Sequence, residues 1–161
     1  LPFIALLAVG FGTDPHAVPF VLKGQNAPIF ALDSLKGKKI KLQDYQGLPI
    51  VINFWASWCE PCKSEHQLLQ NAAKQFSKDI IFLGVVYQDT ADAARQFLNV
   101  YGNEITQLMD PDSKTAIDYG VSGVPESFFI NRAGKVTYKE PGVLSPERLF
   151  GELKKILMEQ K

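Results

Sequence analysis

Ile50-Val51-Ile52-Asn53-Phe54-Trp55-Ala56-Ser57-Trp58-Cys59-Glu60-Pro61-Cys62 is the stretch that decides the fold. Its first six residues are nearly all apolar and β-prone, the pattern of a strand covered on both faces. From Cys59 the sequence predicts a helix to about Phe76, because Leu68, Leu69, Ala72, Ala73 and Phe76 fall on one stripe at helical spacing. Pro61 sits in the first turn of that helix, where a missing N–H costs nothing. The two cysteines therefore stand where a buried strand hands over to a helix. Backbone N–H groups in a helix's first turn have no internal partners and present partial positive charge. A thiolate placed there is favoured over a thiol, so its pKa is expected below the ordinary ~8.5. The offset from Cys59 to Cys62 brings the second sulfur close to the first. Cys59, expected at an exposed helix end, suits a nucleophile that forms a mixed disulfide with a partner. Cys62, one turn in, suits the thiol that resolves it.

Other readings of the pair are weaker. Zinc sites usually need four ligands, and no second CxxC is present. His66 follows Cys62 by one helical turn and adds at most a third ligand, so no metal site is expected. Covalent haem attachment needs His directly after the second cysteine, and that residue is Lys63. A purely structural disulfide closing so short a loop adds little by chain entropy.

Outward from this stretch, Ile29–Leu32 and Lys39–Leu42 flank a turn at Lys36-Gly37-Lys38 and predict a hairpin. Ile80–Tyr87 predicts a second buried strand. Thr90 caps a helix reaching about Val100, with Ala93, Ala94, Phe97 and Leu98 inward. A short strand near Gln107–Met109 and a short helix from Ser113 to Tyr119 follow. Ser127–Ile130 and Val136–Tyr138 form a hairpin around Asn131-Arg132-Ala133-Gly134. Ser145-Pro146 opens a last helix that buries Leu149, Phe150, Leu153, Ile156 and Leu157. Strand–helix–strand units with right-handed crossovers give a parallel core, and the terminal hairpin adds antiparallel strands. The fold class is α/β, a mixed central sheet with helices on both faces.

The 161 residues make one ordinary domain. A 46% hydrophobic composition excludes a disordered chain. Seventeen basic and seventeen acidic side chains cancel, leaving no basic stripe for nucleic acid. Residues 1–12 carry no charge and are shorter than the ~20 apolar residues of a spanning helix. They read as the remnant of a membrane anchor or signal segment, with an apolar arm packed on the domain as the alternative. Residues 13–28 read as an irregular lead-in and 29–161 as the domain.

Trp58-Cys59-Glu60-Pro61-Cys62 resembles the WCxxC signature of the thioredoxin superfamily. Gly24-Gln25-Asn26-Ala27-Pro28-Ile29-Phe30-Ala31-Leu32 resembles the lead of TlpA- and ResA-like proteins. Lys63-Ser64-Glu65-His66 and Tyr119-Gly120-Val121-Ser122-Gly123-Val124-Pro125-Glu126-Ser127-Phe128 resemble the CcmG/DsbE thioredoxins of cytochrome c maturation, and the likeness covers roughly residues 13–160. The resemblance implies a thioredoxin-like three-layer sandwich with an N-terminal β-hairpin extension. It implies a reductant in the periplasm or another extracytoplasmic compartment, tethered to the inner (cytoplasmic) membrane by an N-terminal anchor. Its clients would be the CxxCH cysteines of apocytochrome c, or a maturation protein carrying such a pair. A membrane thiol transporter of the CcdA/DsbD kind would re-reduce it, and no dissociable cofactor is implied.

The resemblance also makes Pro125 a cis-proline beside the dithiol, with the backbone of Val124 pairing with a client chain. The plain alternative is a strand-entry proline. Glu65 and Glu126 match acidic positions of the branch, where a carboxylate opposes thiolate formation and can accept or deliver its proton. Glu65 reads equally as a solvated helix residue. Asn53 departs from ordinary thioredoxin, which carries a buried acid at that place. Glu60, between the cysteines, should oppose the helix dipole and make the couple more reducing. Trp58 is expected in the apolar rim a client covers and Trp55 in the core. Tyr119 fits either place, and His66 reads as a surface residue. Other functions compete: a general TlpA/ResA-like reductant of exported proteins, a redox-inactive binding module, and a thiol peroxidase. The module's expected sign is loss of one cysteine, and peroxidases place theirs in a PxxxTxxC setting that Ser57-Trp58-Cys59 does not match.

Overall fold

The computed structural model describes residues 20–159. The expected anchor remnant at 1–12, and residues 13–19 of the lead-in, lie outside them. The elements run β1 (Ala31–Ser34), β2 (Lys39–Lys41), a 3-10 turn (Leu42–Tyr45), β3 (Ile50–Trp55), α1 (Glu60–Gln75), β4 (Ile81–Tyr87) and α2 (Ala91–Tyr101). Then come β5 (Thr106–Asp110), α3 (Lys114–Asp118), β6 (Glu126–Ile130), β7 (Val136–Pro141) and α4 (Pro146–Met158). They form one seven-stranded sheet in the order β2-β1-β5-β4-β3-β6-β7. β3, β4 and β5 are parallel, while β6, β7 and the β1–β2 hairpin add antiparallel pairs at the two edges. This is the thioredoxin-like mixed sheet, extended by the N-terminal hairpin.

The two-residue period of a strand explains the layering. Ile50, Ile52 and Phe54 pack into one core with Phe30, Leu83, Tyr119 and Phe128. Val51 faces the opposite core with Leu69, Ala72 and Ala73 of α1 and Leu149, Leu153 and Ile156 of α4. Trp55 joins Cys59, Cys62, Val86, Phe97 and Leu98 between α1 and α2. β3 is buried along its whole length, as its unbroken apolar run requires. Thr90 accepts the Ala93 N–H and Ser145 the Arg148 N–H, so both helices begin where side-chain caps replace the missing partners. Among the described residues no helix is long and apolar enough to cross a membrane.

Several expectations are corrected. Phe150 is 39% exposed and rests on Phe76, while Glu152 takes an inward position, paired with Lys155 at 2.7 Å. Leu68, Phe76 and Leu157 are only half-buried, as is Ala93. Tyr119 belongs to the core, its hydroxyl donating to the Pro28 carbonyl at 3.0 Å. His66 is not a surface residue: α1 packs on both the sheet and α2, which widens its buried arc to include Glu65, His66 and Gln70.

Candidate functional site

The dithiol lies at the C-terminal ends of β3 and β4, where α1 begins. Cys59 is the N-cap residue of α1, in extended backbone, and Pro61 follows in the first turn. Cys59 and Cys62 are joined by a disulfide, with sulfurs 2.01 Å and Cα atoms 5.3 Å apart. The Cys62 N–H donates to Cys59 Sγ at 3.1 Å. That donor is one of the orphan amides of the helix end, and it would hold a thiolate on Cys59 more tightly than a thiol. The expected exposure of Cys59 is corrected: both cysteines are 3% exposed in the disulfide form. Cys59 is covered because its sulfur turns inward against the Val124 carbonyl oxygen, 3.5 Å away, and packs with Trp55 and Ala56.

Two loops flank the sulfur. The Val124–Pro125 peptide is cis. Val124 is half-buried, and among the described residues neither its N–H nor its carbonyl takes part in a hydrogen bond within the fold beyond that sulfur contact. On the other side, Gln88 and Asp89 follow β4. Asp89 Oδ2 accepts the Ser57 N–H at 2.7 Å, and the Gln88 carbonyl accepts the Trp58 indole N–H at 3.1 Å. Gln88 sits at φ 46°, a left-handed conformation that costs a non-glycine residue energy and here aims its carbonyl at Trp58. Trp58 is thus held in place yet 59% exposed, an apolar surface beside the disulfide. Trp55 is buried, its indole N–H donating to Gln107 Oε1 at 2.8 Å.

The three acidic residues differ sharply. Glu60 is exposed and paired with Lys63 at 2.9 Å, so the charge beside the helix end is partly compensated. Glu65 is buried under α4's approach: Oε1 accepts from Asn53 Nδ2 at 2.9 Å and Oε2 from the Leu144 N–H at 2.7 Å. Burial pushes its carboxyl up to about 7, and the bonds from Leu144 and Asn53 restrain the rise. Glu126 is also buried. Its Oε1 accepts from Ser122 N–H and Oγ, and its Oε2 stands 3.0 Å from Lys139 Nζ, off the direction of a hydrogen bond.

His66 packs edge-on against Phe97, with ring centroids 5.0 Å apart, and tilted beside Trp55, and a proton on its Nε2 is donated to the Gly102 carbonyl 2.9 Å away. Burial lowers its pKa. Sequence reasoning missed Gln88, Asp89, Ser122 and Lys139. The first two could have been sought, since loops at the C-terminal ends of parallel strands carry sites. Lys139 could not, because a lysine alternating with apolar residues on an edge strand reads as solvated.

The profile of the AhpC/TSA family matches residues 23–139. The chain is 38% identical to the thiol:disulfide interchange protein DsbE of Vibrio cholerae, over 81% of this chain and 71% of that one. It is 35% identical to the thiol-disulfide oxidoreductase ResA of Bacillus thuringiensis, over 91% and 84%. A crystal structure assigned to a thiol:disulfide interchange protein DsbE from Chlorobium tepidum superposes with a TM-score of 0.78 at 33% identity, covering 84% of this chain and 97% of that one.

Proposed function

Since the chain belongs to the AhpC/TSA family and is a thiol:disulfide oxidoreductase, we propose that it works as a reductant outside the cytoplasm. Its client is the disulfide of the CxxCH cysteines of apocytochrome c, or of a maturation protein holding them, opened before haem attachment. The observation that carries the reading is the helix-end amide of Cys62 on Cys59 Sγ, beside a loop in which, among the described residues, the Val124 backbone has no hydrogen-bond partner beyond that sulfur. An attacking sulfur and a docking edge for an extended chain lie side by side.

The steps balance within the dithiol. The Cys59 thiolate attacks one client sulfur, forming a mixed disulfide and releasing the other client sulfur as thiolate. The Cys62 thiolate then attacks Cys59 Sγ, closing the Cys59–Cys62 disulfide and freeing the second client thiolate. Two electrons pass to the client, and a CcdA/DsbD-type transporter returns them. The dithiol is the whole redox group, with no dissociable cofactor. The domain works in the periplasm or its equivalent, tethered to the inner membrane.

The experiment compares kcat/KM for a disulfide-bonded CxxCH peptide and for an unrelated disulfide peptide. It is paired with a Cys62→Ser trap in intact cells and identification of the captured partners. Preference for CxxCH and capture of apocytochrome c or a maturation protein support the reading. Equal rates and a broad capture pattern favour a general ResA-like reductant, the second reading, to which the ResA relative gives weight. Sustained peroxide turnover would overturn both.

A further inference from the structure

Lys139, on β7 opposite Phe128, is nearly buried, with 11% of its side chain exposed. Its stem carries the ammonium across the Phe128 ring, 5.5 Å from the centroid. Nζ donates to the Gly120 carbonyl at 2.9 Å and faces Glu126 Oε2 at 3.0 Å. The other oxygen of Glu126 accepts both Ser122 N–H, at 3.2 Å, and Ser122 Oγ–H, at 2.6 Å. One cation and one carboxylate thereby hold residues 120 and 122 of the segment that ends in Val124–Pro125. A buried carboxylate needs such a counter-charge, and charge-assisted bonds hold a loop better than neutral ones.

We propose that Lys139 is a positioning residue for disulfide exchange: with Glu126 it fixes the 120–125 loop so that the backbone of Val124 lies along Cys59 where a client chain docks. Glu126 is then committed to loop geometry and not to carrying a proton. The inference rests on the disulfide-exchange activity and is independent of which client the cell supplies.

The test uses the protein with dithiothreitol as reductant and a generic disulfide-bonded peptide as substrate. Three variants are compared: Lys139→Met, Lys139→Arg and the double Lys139→Met/Glu126→Gln. The double variant leaves no buried charge unpaired and carries the test if Lys139→Met alone fails to fold. Displacement of the loop raises KM about 10- to 100-fold in Lys139→Met and in the double variant, the scale of a misplaced docking edge. The kcat value changes far less, the Cys59 thiol pKa stays at the wild-type value, and Lys139→Arg recovers most of the lost KM. A wild-type KM in the folded double variant would overturn the inference. So would a loss confined to kcat with a shifted pH profile, the mark of Glu126 as proton carrier.

Discussion

Asn53 Nδ2 donates a 2.9 Å hydrogen bond to Glu65 Oε1, tying the middle of the central strand to the helix that carries the dithiol. The amide also donates to Ser127 Oγ at 3.0 Å, so β3, β6 and α1 meet at one polar point beneath the disulfide. Of the site's two buried acids, Glu65 sits on α1, one turn after Cys62 and on its face, while the strand supplies the amide that holds it.

That placement predicts a pH profile. Burial pushes Glu65 to about 7, so above that pH it is ionised and able to take the Cys62 proton. The resolving step should quicken as pH rises through about 7. Glu65→Gln should lose that limb and slow the step on the order of 10²-fold at neutral pH, rising again only where Cys62 ionises unaided. Single-turnover oxidation of the reduced protein across pH 5–9 measures it. A limb that persists in the variant removes Glu65 from proton transfer.

Adjacent Glu65 and His66 should act on stability in opposite directions. The folded pKa of Glu65, about 7, lies above its ordinary 4.5. Its contribution is therefore full below about 4.5 and is lost as pH rises through 7, a swing of about 3 kcal/mol. His66 is lowered from 6.5 by burial, so its contribution is full above 6.5 and is lost on acidification. Each partly masks the other between those limits. Urea unfolding of His66→Leu should show stability falling from pH 5 to 8, whereas Glu65→Gln should show it falling as pH drops below 6.5. Parallel pH curves for the two variants would contradict this.

Glu60 and Lys63 form an exposed pair at the helix end. Removing the carboxylate by Glu60→Gln leaves the helix amides and Lys63 unopposed. The Cys59 thiol pKa should fall by about half a unit, the scale of one exposed charge at a helix terminus. A better stabilised thiolate favours the dithiol, so the reduction potential should rise, on the order of 10 mV. Lys63→Met should move both in the other direction, and added salt should shrink both effects. Equilibration with glutathione and a thiolate absorbance titration give the two numbers, and no movement in either defeats the electrostatic account.

Gly84 stands opposite Asn53 and Gln107 in the middle of β4. A Cβ there would lie 1.9 Å from Gln107 Oε1, the atom that accepts the Trp55 indole N–H. Gly84→Ala should displace Gln107, leave a buried indole unpaired and cost about 1–3 kcal/mol. The denaturant midpoint and the tryptophan emission maximum should both shift. An unchanged midpoint would mean that the indole finds another partner.

The sequence carried the fold plainly wherever burial was apolar and periodic. The run Ile50–Trp55, the capped starts at Thr90 and Ser145 and the turn at Asn131–Gly134 all appear where pattern and turn chemistry put them. The pair Cys59 and Cys62 was legible because its spacing and its place after a buried strand leave few other uses. Polar residues inside the fold were harder. His66, Gln70 and Glu152 occupy inward positions that an apolar stripe does not mark, because an amphipathic pattern counts only the apolar part of a buried arc. The ion pair of Lys139 with Glu126 joins β7 to the start of β6, and no local pattern announces such a contact. The burial of Cys59 was equally hidden, since it depends on the distant Val124 carbonyl.

Disulfide exchange by this protein requires Cys59 to be the sulfur that attacks. Rapid alkylation of the reduced, folded protein by iodoacetamide, read at each cysteine by mass spectrometry across pH, tests this most directly. Cys59 should be modified first, with an apparent pKa below the ordinary ~8.5, while Cys62 stays protected at every pH where the fold holds. Faster modification of Cys62, or a reduced protein in which neither sulfur reacts, would contradict it.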